Sequence, residues 1–358
     1  MIELIGMKIA IVAGGTGGHI YPALTLAQEL ENRGNTITFF GSNDRMEKRV
    51  IPDNGFEYIA LDVKTTRGGI LQKVKSLTSI FFAYLKSLKL LKGYDMAIGF
   101  GNYISIPIML AAKKLKMKTV IHEQNSFVGR ANLLLDQKMD LIIGSYEDNK
   151  KQFKNNNILI LGNPQASKAY QVKKNSKVIE DLGLDPKKKT VVIFMGSLGS
   201  ASVNEKLLDY FKLLDGSYQV VFATGHSFYD EITSKVKENE YLKIFEYIDG
   251  INVLKNADLL VSRAGATTIC EICALGTPAI LIPSPYVPNN HQFYNAKALL
   301  DLDAAMMIEE KDLSGDSLNT LVNNVINDEK LLKQLSSNAI KLGNPNVLND
   351  IVEVIEKL

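Results

Sequence analysis

Cysteine is scarce in this chain of 358 residues: there are two, and both fall in the short run Cys270-Glu-Ile-Cys273. A structural zinc site needs two further ligands close by, and no second cysteine pair exists. The thiols therefore read as small apolar side chains on a helix, and their low number fits a reducing compartment. Charge of one sign is also lacking. A net charge of +2 gives no global reason to expect a nucleic-acid partner. No uncharged run reaches the roughly 18 residues that would span a bilayer. Residues 1–6 show no basic segment leading into an apolar stretch and a small-residue cleavage site, so no export signal is expected. A cytosolic or peripherally attached protein follows.

The remaining composition is that of a globular protein. Apolar residues at 46% are enough to fill sizeable cores. The length exceeds the roughly 100–200 residues of one domain, so two are expected. Short apolar runs alternate with helical patterns almost throughout, which is the rhythm of a parallel, doubly wound sheet. Strands are predicted at 8–13, 36–40, 58–63, 96–101, 119–123, 141–145 and 158–162, then at 190–195, 219–224, 243–248, 258–262, 279–283 and 305–308. The stretch 163–189 is weakly periodic and carries the linker, near 163–172. The expected division is 1–165, 166–345 and a last helix, 346–358, that packs back on the first domain.

Each half opens with a strand, a glycine-rich loop and a helix. The loops are Gly14-Gly-Thr-Gly-Gly18, followed by His19, and Gly196-Ser-Leu-Gly-Ser200. Such loops bring backbone N–H groups close to an anion at a helix start. A dinucleotide site would need a third glycine where Ile20 stands and an acid ending the second strand, where the chain reads Phe39-Phe40-Gly41-Ser42. NAD is therefore disfavoured. A third element, Ser262-Arg263-Ala264-Gly265-Ala266-Thr267-Thr268-Ile269-Cys270-Glu271, ends a strand and starts a helix, placing a carboxylate where it can accept ribose hydroxyls. Two open sheets with their loops facing would form a cleft between them.

These pieces carry a resemblance. Gly14-Gly-Thr-Gly-Gly-His19, Gly99-Phe-Gly-Asn-Tyr103, His122-Glu-Gln-Asn125, Gly162-Asn-Pro164, Gly196-Ser-x-Gly199, Arg263-x-Gly-Ala-x-Thr-x-x-Glu271 and Gln292-x-x-Asn295-Ala296 follow one another in the order of the MurG family. That family consists of UDP-N-acetylglucosamine:lipid I N-acetylglucosaminyltransferases, and the similarity extends over nearly the whole chain. It implies the GT-B fold, two Rossmann-like parallel-sheet domains facing a cleft, and inverting sugar transfer; no cofactor is expected, and the helix starts at the two glycine loops can take the place of a metal ion. The substrates it implies are UDP-N-acetylglucosamine and undecaprenyl-linked lipid I, at the cytoplasmic face of the membrane.

Carried over by position, the donor-binding residues are Thr16, Gly17, Gly18, Asn125, Ser197, Ile248, Ala266, Thr267, Thr268, Ile269, Cys270, Glu271 and Gln292. Tyr103, His122, Asn132 and Asn204 are the matching polar positions toward the acceptor. His19 is the first choice for the general base and Glu123 the alternative. The sequence departs from the family where Ala166 replaces an arginine, His291 a glutamine, Met195 a glycine and Asn102 a glycine. The same architecture also serves glycolipid glycosyltransferases and UDP-N-acetylglucosamine 2-epimerases, and a non-catalytic nucleotide-sugar binder is a further alternative.

Two stretches need separate weighing. From Val63 to Tyr94 there is no acid, while Lys64, Arg67, Lys73, Lys75, Lys86, Lys89 and Lys92 alternate with leucines and aromatics. The segment Lys73–Lys92 is expected to lie on an anionic membrane surface. Asp301-Leu-Asp303 mimics a metal-binding Asp-x-Asp, but it follows a helical pattern and reads as a helix end.

Overall fold

A computed structural model describes residues 6–64, 70–196 and 199–358, with the side chains of residues 70, 71 and 73 left aside. It divides into two compact units, Met1–Gln165 with Asn346–Leu358, and Ala166–Pro345. Each unit is one open sheet with every strand pair parallel.

The strands of the first unit are β1 (Lys8–Val12), β2 (Thr36–Ser42), β3 (Glu57–Leu61), β4 (Met96–Gly99), β5 (Lys118–Glu123), β6 (Leu141–Gly144) and β7 (Ile158–Ile160). Those of the second are β8 (Thr190–Phe194), β9 (Gln219–Ala223), β10 (Leu242–Phe245), β11 (Leu259–Ser262), β12 (Ala279–Leu281) and β13 (Met306–Met307). Every apolar run predicted as a strand coincides with one of them. The reason is visible in β1, where Ile9, Ala10, Ile11 and Val12 are all fully buried. A parallel strand covered by helices on both faces is a continuous apolar run rather than an alternating one.

The strand orders are β3-β2-β1-β4-β5-β6-β7 and β10-β9-β8-β11-β12-β13. Chain order reverses between β1 and β4 in one sheet and between β8 and β11 in the other. At such points the connections leave on opposite faces and open a crevice beyond the carboxyl ends of the strands. Both glycine loops follow the strands at these reversals.

In the first unit, α1 (Gly17–Asn32) leaves β1 and stops before Gly34, which has φ +89°. The helices α2 (Glu47–Asp53), α3 (Ile70–Leu90), α4 (Ser105–Lys114) and α5 (Arg130–Leu135) follow. The last helix, Val347–Glu356, turns Val347, Ile351, Val352 and Ile355 inward, a spacing that puts them on one face. It packs on α1, where Arg33 meets Glu356 at 3.3 Å and Asn349 at 3.0 Å.

Candidate functional site

At the carboxyl end of β1 the chain bends through Gly15, φ +92°. A Cβ there would lie 2.0 Å from Asn102 Nδ2, so glycine is required by both the backbone angle and the approach of that side chain. Asn102 donates to the Gly14 carbonyl at 2.8 Å and accepts from the Tyr103 N–H at 2.6 Å. Its own φ is +69°, a conformation asparagine tolerates better than most residues. The asparagine in place of a glycine thus ties the loops after β1 and β4 together.

The same loop holds a carboxylate that the sequence motifs do not mark. Glu47, at the start of α2, is fully buried. One oxygen accepts from the Gly15 N–H at 3.1 Å, and the other takes the N–H and the hydroxyl of Ser42. One amide of the loop is therefore satisfied from within. Gly17 and Gly18 open α1, where the first amides have no intrahelical acceptor. Thr16, the residue before the helix, places its hydroxyl 3.1 Å from His19 Nδ1. His19 is half-buried and faces Gly101, where a Cβ would stand 3.5 Å from its ring.

Beyond β5 the side chains turn inward. Glu123 is buried, its oxygens accepting from the N–H of Asn125 at 3.0 Å, the N–H of Gly129 at 2.9 Å and Asn132 Nδ2 at 2.9 Å. Burial pushes its carboxyl above the usual range, partly offset by those hydrogen bonds. His122 is buried against the Phe100 ring and donates from Nε2 to the Gly162 carbonyl at 2.9 Å. Burial lowers it to about 4, with the Gly162 carbonyl pulling the other way. Its Nδ1, Asn132 Oδ1 and Gln124 Oε1 are buried with no hydrogen-bond partner among the described residues. His122 and Asn132 thus lie beneath the surface of the crevice, and Gln124, not singled out from its motif, lies with them. Tyr103 is half-buried, and its phenol is raised chiefly by burial.

The second unit repeats the plan. Ser197 lies outside the described residues. On either side of it, Gly196 and Gly199 have φ +85° and +71°, and a Cβ on Gly199 would meet the Thr224 carbonyl at 2.3 Å. The helix Ala201–Lys212 starts there, with Asn204 buried in its first turn and both side-chain polar atoms unpartnered among the described residues. Arg263, after β11, is buried and donates to Ser200 Oγ at 2.7 Å and the Ile282 carbonyl at 3.1 Å. It also pairs with buried Glu310. Burial alone would raise the Glu310 carboxyl, but hydrogen bonds from Ser202 and Arg263 hold it below its ordinary value. Arg263 is a strut for the loop.

The helix Ala266–Leu275 carries Ala266, Thr267, Thr268, Ile269, Cys270 and Glu271 on its opening turns at the β11 end. Cys270 donates to the Thr267 carbonyl at 3.0 Å, and burial pushes both thiols up, Cys273 to about 12. The pair behaves as apolar packing. Glu271 has no hydrogen-bond partner among the described residues, and desolvation raises it to about 7. A half-buried carboxylate without donors among the described residues is suited to a ligand that brings hydroxyls. Gln292, in the first turn of the helix His291–Leu300, accepts from the Ser284 N–H at 2.9 Å, and Ile248 is half-buried just after β10. Among the described residues no group of His, Cys, Asp or Glu is arranged to hold a metal ion.

Comparison with known proteins places this geometry. Residues 9–143 match the glycosyltransferase family 28 N-terminal domain, and residues 190–351 match its C-terminal domain. A protein of Pediococcus pentosaceus is 33% identical, with 98% of this chain and 99% of the relative covered. One of Bacillus subtilis is 35% identical over 98% of this chain and 99% of its own length. Both are named UDP-N-acetylglucosamine--N-acetylmuramyl-(pentapeptide) pyrophosphoryl-undecaprenol N-acetylglucosamine transferase. The crystal structure of Acinetobacter baumannii MurG superposes with a TM-score of 0.81 at 25% identity, covering 98% of this chain and all of that one.

Proposed function

The chain belongs to the MurG family of glycosyltransferases, and we infer from that membership that it moves N-acetylglucosamine from UDP to the muramyl 4-hydroxyl of lipid I. The product is lipid II, a peptidoglycan precursor. The observation that carries the reading within the structure is Glu271, a carboxylate without donors among the described residues on the second turn of the helix that follows Gly265, where a ribose would supply two.

In this reaction the acceptor oxygen bonds to the sugar C1 while the bond from C1 to the diphosphate oxygen breaks, inverting the centre. The leaving diphosphate gathers negative charge, and amides at helix starts aimed at it stabilise that charge without rearrangement. Donor contacts are assigned to Ser197, Ile248, Gln292 and the 266–271 turn in the second unit, and to Thr16, Gly17, Gly18 and Asn125 in the first. His19 takes the acceptor proton, because it is half-buried at the loop while both oxygens of Glu123 are committed inside. Tyr103 is assigned to the acceptor, and His122 and Asn132 underlie the loops of the first unit as Asn204 underlies that of the second.

Among the described residues no helix is long and apolar enough to cross a membrane. Attachment is peripheral, at the cytoplasmic face where nucleotide sugars are available, through the basic face of α3; the side chain of Lys73 and Arg67 lie outside the described residues.

A transfer assay with UDP-N-acetylglucosamine and a lipid I analogue tests the assignment, with disaccharide product and free UDP expected. A competing reading of the same fold comes from the crystal structure of a putative UDP-N-acetylglucosamine 2-epimerase from Listeria monocytogenes, 13% identical with a TM-score of 0.70. That likeness shows the fold alone. Epimerised sugar formed without any acceptor would overturn the transferase reading.

A further inference from the structure

The helix Ala201–Lys212 begins without the cap that its sequence provides. Ser200 stands just before the first turn, where a serine hydroxyl ordinarily accepts the N–H of the second or third helical residue. Among the described residues it makes no such bond. Its Oγ accepts from Arg263 Nη2 at 2.7 Å instead and lies 3.3 Å from Ser202 Oγ. Elsewhere in the same unit the rule holds. Ser314 Oγ accepts the Ser317 N–H at 3.1 Å before the helix Gly315–Ile326. Asp328 accepts the N–H groups of Lys330 and Leu331 at 3.0 and 2.9 Å before the helix Glu329–Lys341.

A buried ion pair draws Ser200 away. Arg263 and Glu310 approach to 2.5 Å, and each is only 7% exposed. Arg263 Nη1 is held by the Ile282 carbonyl at 3.1 Å, and Lys206 Nζ donates to the Glu310 carbonyl at 2.5 Å. A buried pair seldom stabilises a fold more than apolar side chains of the same volume would, so stability by itself gives no account of it. Geometry does, because a planar guanidinium clamped by Ile282 and Glu310 aims its donors in fixed directions, one of them at Ser200. The consequence falls on the amides of Ser202 and Val203. Amides of a first turn have no intrahelical acceptor, and left uncapped they serve an anion. We propose that Arg263 and Glu310 are positioning residues that hold the Ser200 hydroxyl off its own helix and so keep the amides of Ser202 and Val203 for the donor diphosphate. This role rests on the second glycine loop holding that diphosphate, and neither side chain needs to touch the ligand.

The test uses the full chain carrying Arg263→Met with Glu310→Leu, an apolar pair of similar volume that should keep the fold. The Ser200 hydroxyl, once released, should cap its helix. Hydrogen exchange at the amides of Ser202 and Val203 should then slow about fivefold with no ligand present. Affinity for UDP should fall about tenfold in calorimetry, while that for uridine, which lacks the diphosphate, stays within about twofold. Adding Ser200→Ala removes the competing cap and should bring back fast exchange and UDP affinity to within about threefold of the parent. Glu310→Gln keeps the shape and only loosens Arg263, and it should show the same pattern in smaller steps if the apolar pair does not fold. Unchanged exchange in the apolar pair overturns the diversion of Ser200. A loss of UDP affinity that Ser200→Ala does not recover assigns Arg263 a direct effect of charge and overturns it too. Equal losses for UDP and uridine reduce the pair to a prop of the fold. A parent that binds UDP no more tightly than uridine removes the diphosphate from this loop, an outcome that the exchange measurement separates from a failure of the diversion.

Discussion

Glu47 Oε2 accepts the Gly15 N–H at 3.1 Å, so the first glycine loop is shaped around a buried carboxylate belonging to the protein itself. Its other oxygen takes both donors of Ser42 at the end of β2. The loop that must present Thr16, Gly17 and Gly18 is therefore anchored from below by a residue of α2.

Replacing Glu47 by Ala should leave three donors without this acceptor, two of them on buried Ser42. Each unsatisfied group costs about 1–3 kcal/mol, part of which water entering the space recovers, so a loss of about 2–4 kcal/mol in denaturant unfolding is expected. Glu47→Gln keeps the volume but turns an amide donor toward a donor. It should retain more stability while still lowering kcat/KM. An Ala variant with parental stability and parental turnover would show that the contact shapes nothing.

UDP affinity should depend on pH through Glu271. Desolvation raises this carboxyl to about 7 in the free protein, and the ribose hydroxyls bind its charged form. Binding therefore releases a proton, tightens as pH rises from about 6 to 8, and levels off above, where the group is already charged. Calorimetry in buffers of different ionisation enthalpy reads the proton directly. Glu271→Ala should cost about 1.5–3 kcal/mol of UDP binding and abolish the pH dependence. Parental affinity in that variant takes Glu271 out of the site.

His19 and Glu123 should separate by what else their loss disturbs. His19→Ala is expected to lower kcat about 100-fold or more with UDP affinity and melting temperature kept. Glu123→Gln should lower the melting temperature along with the rate, since its oxygens hold Asn125, Gly129 and Asn132. If His19→Ala raises only the acceptor KM and keeps kcat at saturation, the histidine binds substrate and another group takes the proton.

Transfer should proceed in EDTA. Asp301 is held by Lys297 at 2.7 Å, and Asp303 sits at φ +49° at the helix end, so Asp301-Leu-Asp303 is not arranged as a ligand pair. Activity that vanishes with chelator and returns with magnesium or manganese would refute this.

Local sequence was enough to determine the strands, the glycine turns and the family, because each is written in neighbouring residues. A buried parallel strand must be an unbroken apolar run, and a backbone with positive φ or a close contact, as at Gly15 and Gly199, selects glycine. What the tertiary structure alone decided is where polar groups end. Glu47 looks like any acid on a short helix until the sheet brings it against Gly15, 32 residues away. Burial likewise sets His122, Glu123 and Asn132 beneath the loops, though their letters equally suit exposed positions. Ser200 meets Arg263, 63 residues away, only because β8 and β11 lie side by side. Whether a charged or polar group is buried depends on partners distant in the chain, and the energy of burying it is settled by those partners and not by its sequence neighbours.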